Sequence, residues 1–118
     1  MKESGKVQFL GKVTKANEIS QIEILPRYCE GIYGLEQFSH VIIFYWFHLR
    51  DDDTARETLK VVPKRHPGAP EVGVFASRSP NRPNPIGFCV AELIKIEGCR
   101  MFVRGLDALE DSPIVDIK

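Results

Sequence analysis

At 118 residues, with 43% hydrophobic and 27% charged residues, the chain has the size and composition of one globular domain built on a single core. Sixteen basic and sixteen acidic residues cancel to a net charge of zero, so overall charge does not mark a nucleic-acid binder. The longest apolar run, residues 41–47, is seven residues and too short for a membrane helix. The first five residues are polar and lead into no signal-peptide segment.

Taken in chain order, imperfect alternation over residues 5–14 predicts a first strand, with Val7, Phe9, Gly11 and Val13 on one face. Residues 21–25 predict a second, ended by Pro26. Gly31 and Gly34 punctuate a connector with room for one helical turn. Residues 40–48 form the central strand; apolar residues occupy both its faces, which predicts burial on both sides. Asp51, Asp52, Asp53 and Thr54 supply the N-terminal end of a short helix running to Leu59. Residues 63–70 read as loop and 72–76 as a short strand. A long strand over 86–96 turns at Glu97-Gly98 into a partner over 101–105, and residues 114–117 complete the set. Six or seven short strands with one or two short helices predict a mainly β fold, a small β-barrel, across residues 1–118.

The three cysteines, Cys29, Cys89 and Cys99, are odd in number and lack a Cys-x-x-Cys pair. They predict reduced thiols in a cytoplasmic protein and argue against a zinc cage. His40 and His48 share a strand face, but eight residues of strand set them about 26 Å apart, too far for one metal ion. No Gly-x-Gly-x-x-Gly follows a strand, and no phosphate-binding P-loop is present. No serine–histidine or cysteine–histidine pairing is readable from spacing.

Charge is unevenly placed. Between Arg56 and Arg82 six cations face two carboxylates, a net +4, whereas residues 104–118 carry a net −2. That division suggests a patch of one sign near the middle of the chain. Within it, Arg78-Ser79-Pro80-Asn81-Arg82-Pro83-Asn84-Pro85-Ile86-Gly87 packs three prolines, two arginines and two asparagines into ten residues. Each proline fixes its own φ and biases the residue before it toward extended backbone, so the loop is stiff before anything binds. Stiffness lowers the ordering cost of binding. Arg78 and Arg82 then offer two planar forks suited to a carboxylate or phosphate. The plainer reading is a turn whose arginines pair with nearby carboxylates. Asp107, Glu110, Asp111 and Asp116 form an acidic cluster that reads either as a turn or as a source of a base.

The run from Gly73 through Val74-Phe75-Ala76-Ser77 and the loop to Gly87 closely resembles the signature of the TsaA-like family of TrmO-type tRNA methyltransferases. Gly34-Leu35-Glu36-Gln37-Phe38-Ser39-His40 leading into Phe44-Tyr45-Trp46-Phe47-His48 is a second match. Gly105-Leu106-Asp107-Ala108-Leu109 followed by Pro113-Ile114-Val115-Asp116-Ile117-Lys118 is a third. The resemblance implies a small single-sheet β-barrel, usually a homodimer, that binds S-adenosyl-L-methionine outside the Rossmann class. It implies methylation of N6 of threonylcarbamoyladenosine beside the tRNA anticodon, with Phe47, His48, Arg78, Phe88, Leu106 and Asp107 bordering the cofactor. Arg82, Asn81 and Asn84, with Lys64, Arg65 and His66 of the preceding loop, are the implied tRNA contacts. Because methyl transfer depends chiefly on alignment, a rigid loop suits it, and Asp107 is the candidate acceptor for the N6 proton. The alternative is a non-catalytic module holding RNA or a nucleotide through the same loop. Two departures stand out: the Ser-Pro element and the Pro-Arg-Gln segment common in the family have no counterpart at Lys12 to Asn17 or at Pro26-Arg27-Tyr28. Relatives also usually continue past the position of Lys118.

Overall fold

Period-two patterning produces strands with one dry face, and six of them curl a single sheet into a closed barrel. The computed structural model describes residues 1–65 and 67–118, so His66 lies outside the described residues. The strands are β1 (Gly11–Lys15), β2 (Ile19–Ile24), β3 (His40–Trp46), β4 (Lys60–Val61), β5 (Val72–Gly73), β6 (Ile86–Glu97), β7 (Arg100–Arg104) and β8 (Pro113–Ile117). Around the barrel the order is β1-β2-β7-β6-β3-β8, closing back on β1, with every pairing antiparallel. β4 and β5 form a separate two-stranded ladder.

Inward side chains fill the barrel: Val13, Ile22, Ile43, Met101, Val103 and Ile114 are completely buried. Their packing is the main source of stability, since each fully buried side chain of this size contributes about 1.5–3 kcal/mol of transfer free energy. β1 begins at Gly11, not at residue 5, because residues 5–9 are exposed and Leu10 is where pairing starts, donating its N–H to the Ile114 carbonyl at 2.8 Å. A Cβ on Gly11 would collide with the Glu23 carbonyl oxygen, so glycine lets β1 and β2 approach.

β3 departs from expectation. Val41, Ile43 and Tyr45 are buried, but Ile42, Phe44 and Trp46 are only half-buried. A single sheet wrapped round one core dries its inner face and leaves the outer one to solvent, and apolar residues on both faces did not distinguish that from a sandwiched strand. The helix after β3 is also shorter than expected. α1 (Asp53–Arg56) starts where the Asp52 carboxylate accepts from the Ala55 N–H at 2.7 Å, and it ends before Leu59 because β4 pairs with β5. Residues 72–76 do not continue as strand: the Val74 N–H donates to the Leu59 carbonyl at 2.9 Å and the Ser77 N–H turns back to Val74 at 3.1 Å, winding Val74–Ala76 into a 3-10 turn.

The expectation of reduced thiols is corrected for two of the three cysteines. Cys29 and Cys99 form a disulfide with Cα atoms 5.4 Å apart and a sequence separation of 70. It ties the 3-10 turn Pro26–Ile32 to the hairpin between β6 and β7. Sequence spacing does not reveal that these two turns meet at one end of the barrel. Cys89 is free and half-buried. No helix among the described residues is long and apolar enough to cross a membrane.

Candidate functional site

The proline-rich loop leaves its 3-10 turn at Ser77 and re-enters the barrel as β6 at Ile86. Prolines remove backbone donors, so the loop's remaining polar groups must find each other. The Ser77 hydroxyl donates to the Val74 carbonyl at 3.0 Å and accepts from the Ser79 N–H at 3.2 Å, and the Ser79 hydroxyl accepts from the Asn81 N–H at 3.1 Å. Arg82 Nη1 donates to the Ser77 and Ser79 carbonyls at 3.1 and 3.2 Å. From α1, Arg56 Nε donates to the Pro83 carbonyl at 2.8 Å, and the Phe47 N–H donates to Pro85 at 2.6 Å. The loop is thereby fastened to itself, to α1 and to the end of β3.

This changes the reading of the two arginines. Arg82 turns inward and braces the loop, and only Arg78 presents an exposed guanidinium, lying 5.1 Å from the centre of the Phe88 ring. The plainer expectation, a turn with arginine–carboxylate pairs, is not what forms: Arg82 bonds backbone carbonyls.

Beside the loop lies an open cleft of about 1540 Å³. Its walls come from five parts of the chain: Ala16 and Asn17 after β1, Phe47 and His48 at the end of β3, Val62 to Arg65 after β4, Ser77 to Arg82 with Phe88 at the head of β6, and residues 106–109 after β7. Of the sequence-predicted residues, Phe47, His48, Arg78, Phe88, Leu106 and Asp107 all line it, as do Lys64, Arg65, Asn81 and Arg82. Asn84 is exposed and outside the lining, and His66 is outside the described residues. Single small-molecule sites usually occupy about 300–1,000 Å³, so this cleft has room for two ligands side by side.

Apolar and charged groups share the cleft, with the Arg78 guanidinium over the Phe88 ring. Phe47 packs edge-on against Tyr45 with ring centres 5.4 Å apart, and Leu106 is buried beneath the turn that carries the exposed Asp107. The Arg65 guanidinium stands 4.0 Å from the Asp107 carboxylate across the opening, with both side chains largely solvated. Tyr45 is 6% exposed and donates its hydroxyl to the Asp107 carbonyl oxygen. Burial, then the Asp107 carboxylate and the Cys89 thiol, push that phenol up to about 12 against the opposing pull of Arg65 and Arg78, so it stays a protonated donor at neutral pH.

Sequence reasoning passed over Tyr45, Arg56 and Gly87. Tyr45 carried a usable signal: it is the one residue with a polar atom on the inward face of an apolar strand, and a buried tyrosine hydroxyl needs a partner. Gly87 is explained by contact. A Cβ there would stand 2.6 Å from Tyr45 Cζ and 2.8 Å from Phe47 Cζ, so glycine makes space for both rings. Arg56 gave no such signal, because its acceptor, Pro83, is a backbone carbonyl 27 residues away.

The sequence model of one family, described as the tRNA-methyltransferase O N-terminal domain, matches residues 11–118. An S-adenosyl-L-methionine-binding protein of Archaeoglobus fulgidus is 45% identical over 104 residues, covering 87% of this chain and 70% of its own length. A human tRNA (adenine(37)-N6)-methyltransferase is 45% identical over 88 residues, 75% of this chain and 19% of its own. Among solved structures, TrmO from Pseudomonas aeruginosa superposes with a TM-score of 0.70 at 27% identity, covering 98% of this chain. The chain spans 55% of the length of that structure, so the whole enzyme's properties extend beyond what is matched here.

Proposed function

The chain belongs to the tRNA-methyltransferase O N-terminal domain family, and on that premise we propose that residues 1–118 act as one barrel domain that binds S-adenosyl-L-methionine and methylates N6 of threonylcarbamoyladenosine in tRNA. The observation that carries this reading is the prebuilt cleft, in which a loop locked by Arg56, Ser77, Ser79 and Arg82 faces Phe47, His48 and the Leu106-Asp107 turn. Its donor set fits the cofactor: apolar walls at Phe47, Phe88 and Leu106 suit an adenine ring, and the exposed Arg78 suits a carboxylate. When bound, S-adenosyl-L-methionine supplies a methyl group already activated by its sulfonium.

The chain's own residues then have the task of alignment. The braced loop holds Arg78 in place without further ordering, and effective concentration, not activation, is the contribution expected of such a site. In this reading Asp107, which lines the cleft and is exposed, accepts the proton lost from N6 as that nitrogen is methylated. Lys64, Arg65 and Asn81 line the same cleft and take the tRNA phosphates in this reading, with Asn84 and His66 beside them in sequence. Arg82, bonded to the Ser77 and Ser79 carbonyls, shapes the loop instead of gripping RNA as its sequence position suggested. Beyond the cleft the outer face of β6 exposes Val90 and Ile94, and we assign it to a homodimer contact. We place the protein in the cytoplasm, where tRNA is found. The Cys29–Cys99 disulfide, uncommon in reducing cytosols, pulls against that assignment, and counting free thiols in protein taken directly from cells tests it.

A second reading has one observation in its favour. Lys64, Arg65 and Arg78 line the cleft as exposed cations, an arrangement that binds anions without doing proton transfer. On this reading the domain is a non-catalytic RNA- or nucleotide-binding module. Mass spectrometry of nucleosides from tRNA incubated with protein and cofactor separates the two. A gain of one methyl on threonylcarbamoyladenosine supports the enzyme; RNA binding with steep salt dependence and no such gain supports the module.

A further inference from the structure

Tyr45 stands on the inward face of β3, where its neighbours Val41 and Ile43 are purely apolar. Its hydroxyl crosses the barrel end to the Asp107 carbonyl, 62 residues away in sequence. Few other ties hold that segment: the Cys89 thiol reaches the Gly105 carbonyl at 3.2 Å, and the Ser112 N–H donates to Leu109 at 3.1 Å. The ring itself is fixed on two sides, by Phe47 edge-on and by Gly87, whose missing Cβ leaves the ring its place.

We propose that Tyr45 is the positioning residue of the cofactor site: its hydroxyl, placed by Gly87 and Phe47, holds the Leu106-Asp107 turn in register with the proline-rich loop. The inference rests on the reading that Asp107 borders the cofactor. It goes beyond that reading by assigning to Tyr45, whose ring lines the cleft, a role exercised through the turn its hydroxyl holds. Gly87 closes the proline-rich loop and Asp107 follows β7, so the ring of Tyr45 is the physical link between two walls that are otherwise separate in sequence. Because the phenol remains protonated through the neutral range, its hydroxyl stays a donor to that carbonyl there.

Tyr45→Phe removes the hydroxyl and keeps the ring. Amide hydrogen exchange over residues 105–109 reads the tether without any ligand, and calorimetry with S-adenosylhomocysteine reads the site. We expect faster exchange confined to that segment and cofactor affinity about tenfold weaker, the size set by one hydrogen bond to a pre-ordered wall. Unchanged exchange in Tyr45→Phe overturns the tether whatever the cofactor does. Faster exchange with unchanged affinity overturns the positioning role. If the unmodified protein binds no S-adenosylhomocysteine, the functional reading fails and the positioning role falls with it, while the exchange result still reports on the tether alone.

Discussion

Two segments border the cleft, and they are held in opposite ways. Residues 77–87 are tied by serine hydroxyls, by Arg82, by Arg56 from α1 and by the backbone of Phe47, with three prolines limiting what remains. Residues 60–65 hang from a two-residue ladder with β5, and the ion pair of Arg65 with Asp107 is solvated on both sides. Both were legible as basic and loop-like, yet only the first is prebuilt. A small, fixed ligand such as the cofactor profits from a rigid wall, because ordering costs fall before binding. A flexible polyanion profits from cations free to adjust, which is what the second segment supplies.

The largest expected effect isolates global stability from the cleft. Reducing the Cys29–Cys99 bond, or replacing both cysteines by serine, releases a loop of 70 residues whose closure contributes roughly 4 kcal/mol in the chain-entropy account. The thermal midpoint should fall by more than 10 °C, on the order of magnitude for a domain of this size. Cofactor affinity below that midpoint should be unchanged, since the bond sits at the β6–β7 hairpin and does not line the cleft. Calorimetry with and without reductant checks both halves.

Gly87→Ala comes next and attacks the rigid side directly. Its Cβ would press on the Tyr45 and Phe47 rings, and overpacking of this kind costs about 1–3 kcal/mol. The expected result is a midpoint lowered by roughly 5–15 °C together with weakened cofactor binding. A variant as stable and as tightly binding as the parent would show that the rings have space to give.

Arg82→Ala removes two bonds to loop carbonyls and should cost roughly 1–3 kcal/mol while raising amide exchange across residues 77–85. Arg82→Lys should recover only part, because one ammonium cannot reproduce the planar fork. On the adjustable side, Arg65→Ala should move the midpoint by less than about 1 °C, as for other solvated pairs. It should instead weaken tRNA binding and reduce the slope of log affinity against log salt by about one. Equal stability losses for Arg82→Ala and Arg65→Ala would erase the distinction between the segments.

The smallest effect is read at high pH. The Tyr45 phenol is raised from 10 in the unfolded chain to about 12 in the fold, so its contribution is complete below pH 10 and is lost as pH rises toward 12. Urea midpoints should fall over that window more steeply for the parent than for Tyr45→Phe.

Much of this was visible in sequence because it depends on local rules. Prolines marked the stiff loop, alternation marked the strands, and the Ile86–Glu97 strand with its hairpin partner was found to within a residue or two. What escaped depends on which segments meet. Neither the Cys29–Cys99 bond nor Arg56 on Pro83 is set by neighbours in sequence. The open outer face of β3 escaped for a related reason: Ile42, Phe44 and Trp46 are apolar whether or not a second layer covers them. Arg82 shows the same limit at close range, since a loop too poor in backbone donors recruited its own arginine as a brace.

The most direct test of the account is titration of S-adenosylhomocysteine into the unmodified protein and into Arg78→Ala. Arg78 is exposed over Phe88 and makes no brace contact of the kind that occupies Arg82, so its loss should leave the fold intact. The account predicts saturable binding to the parent and at least tenfold weaker binding to Arg78→Ala at an unchanged thermal midpoint. No heat with the parent, or equal affinity in both proteins, would contradict it.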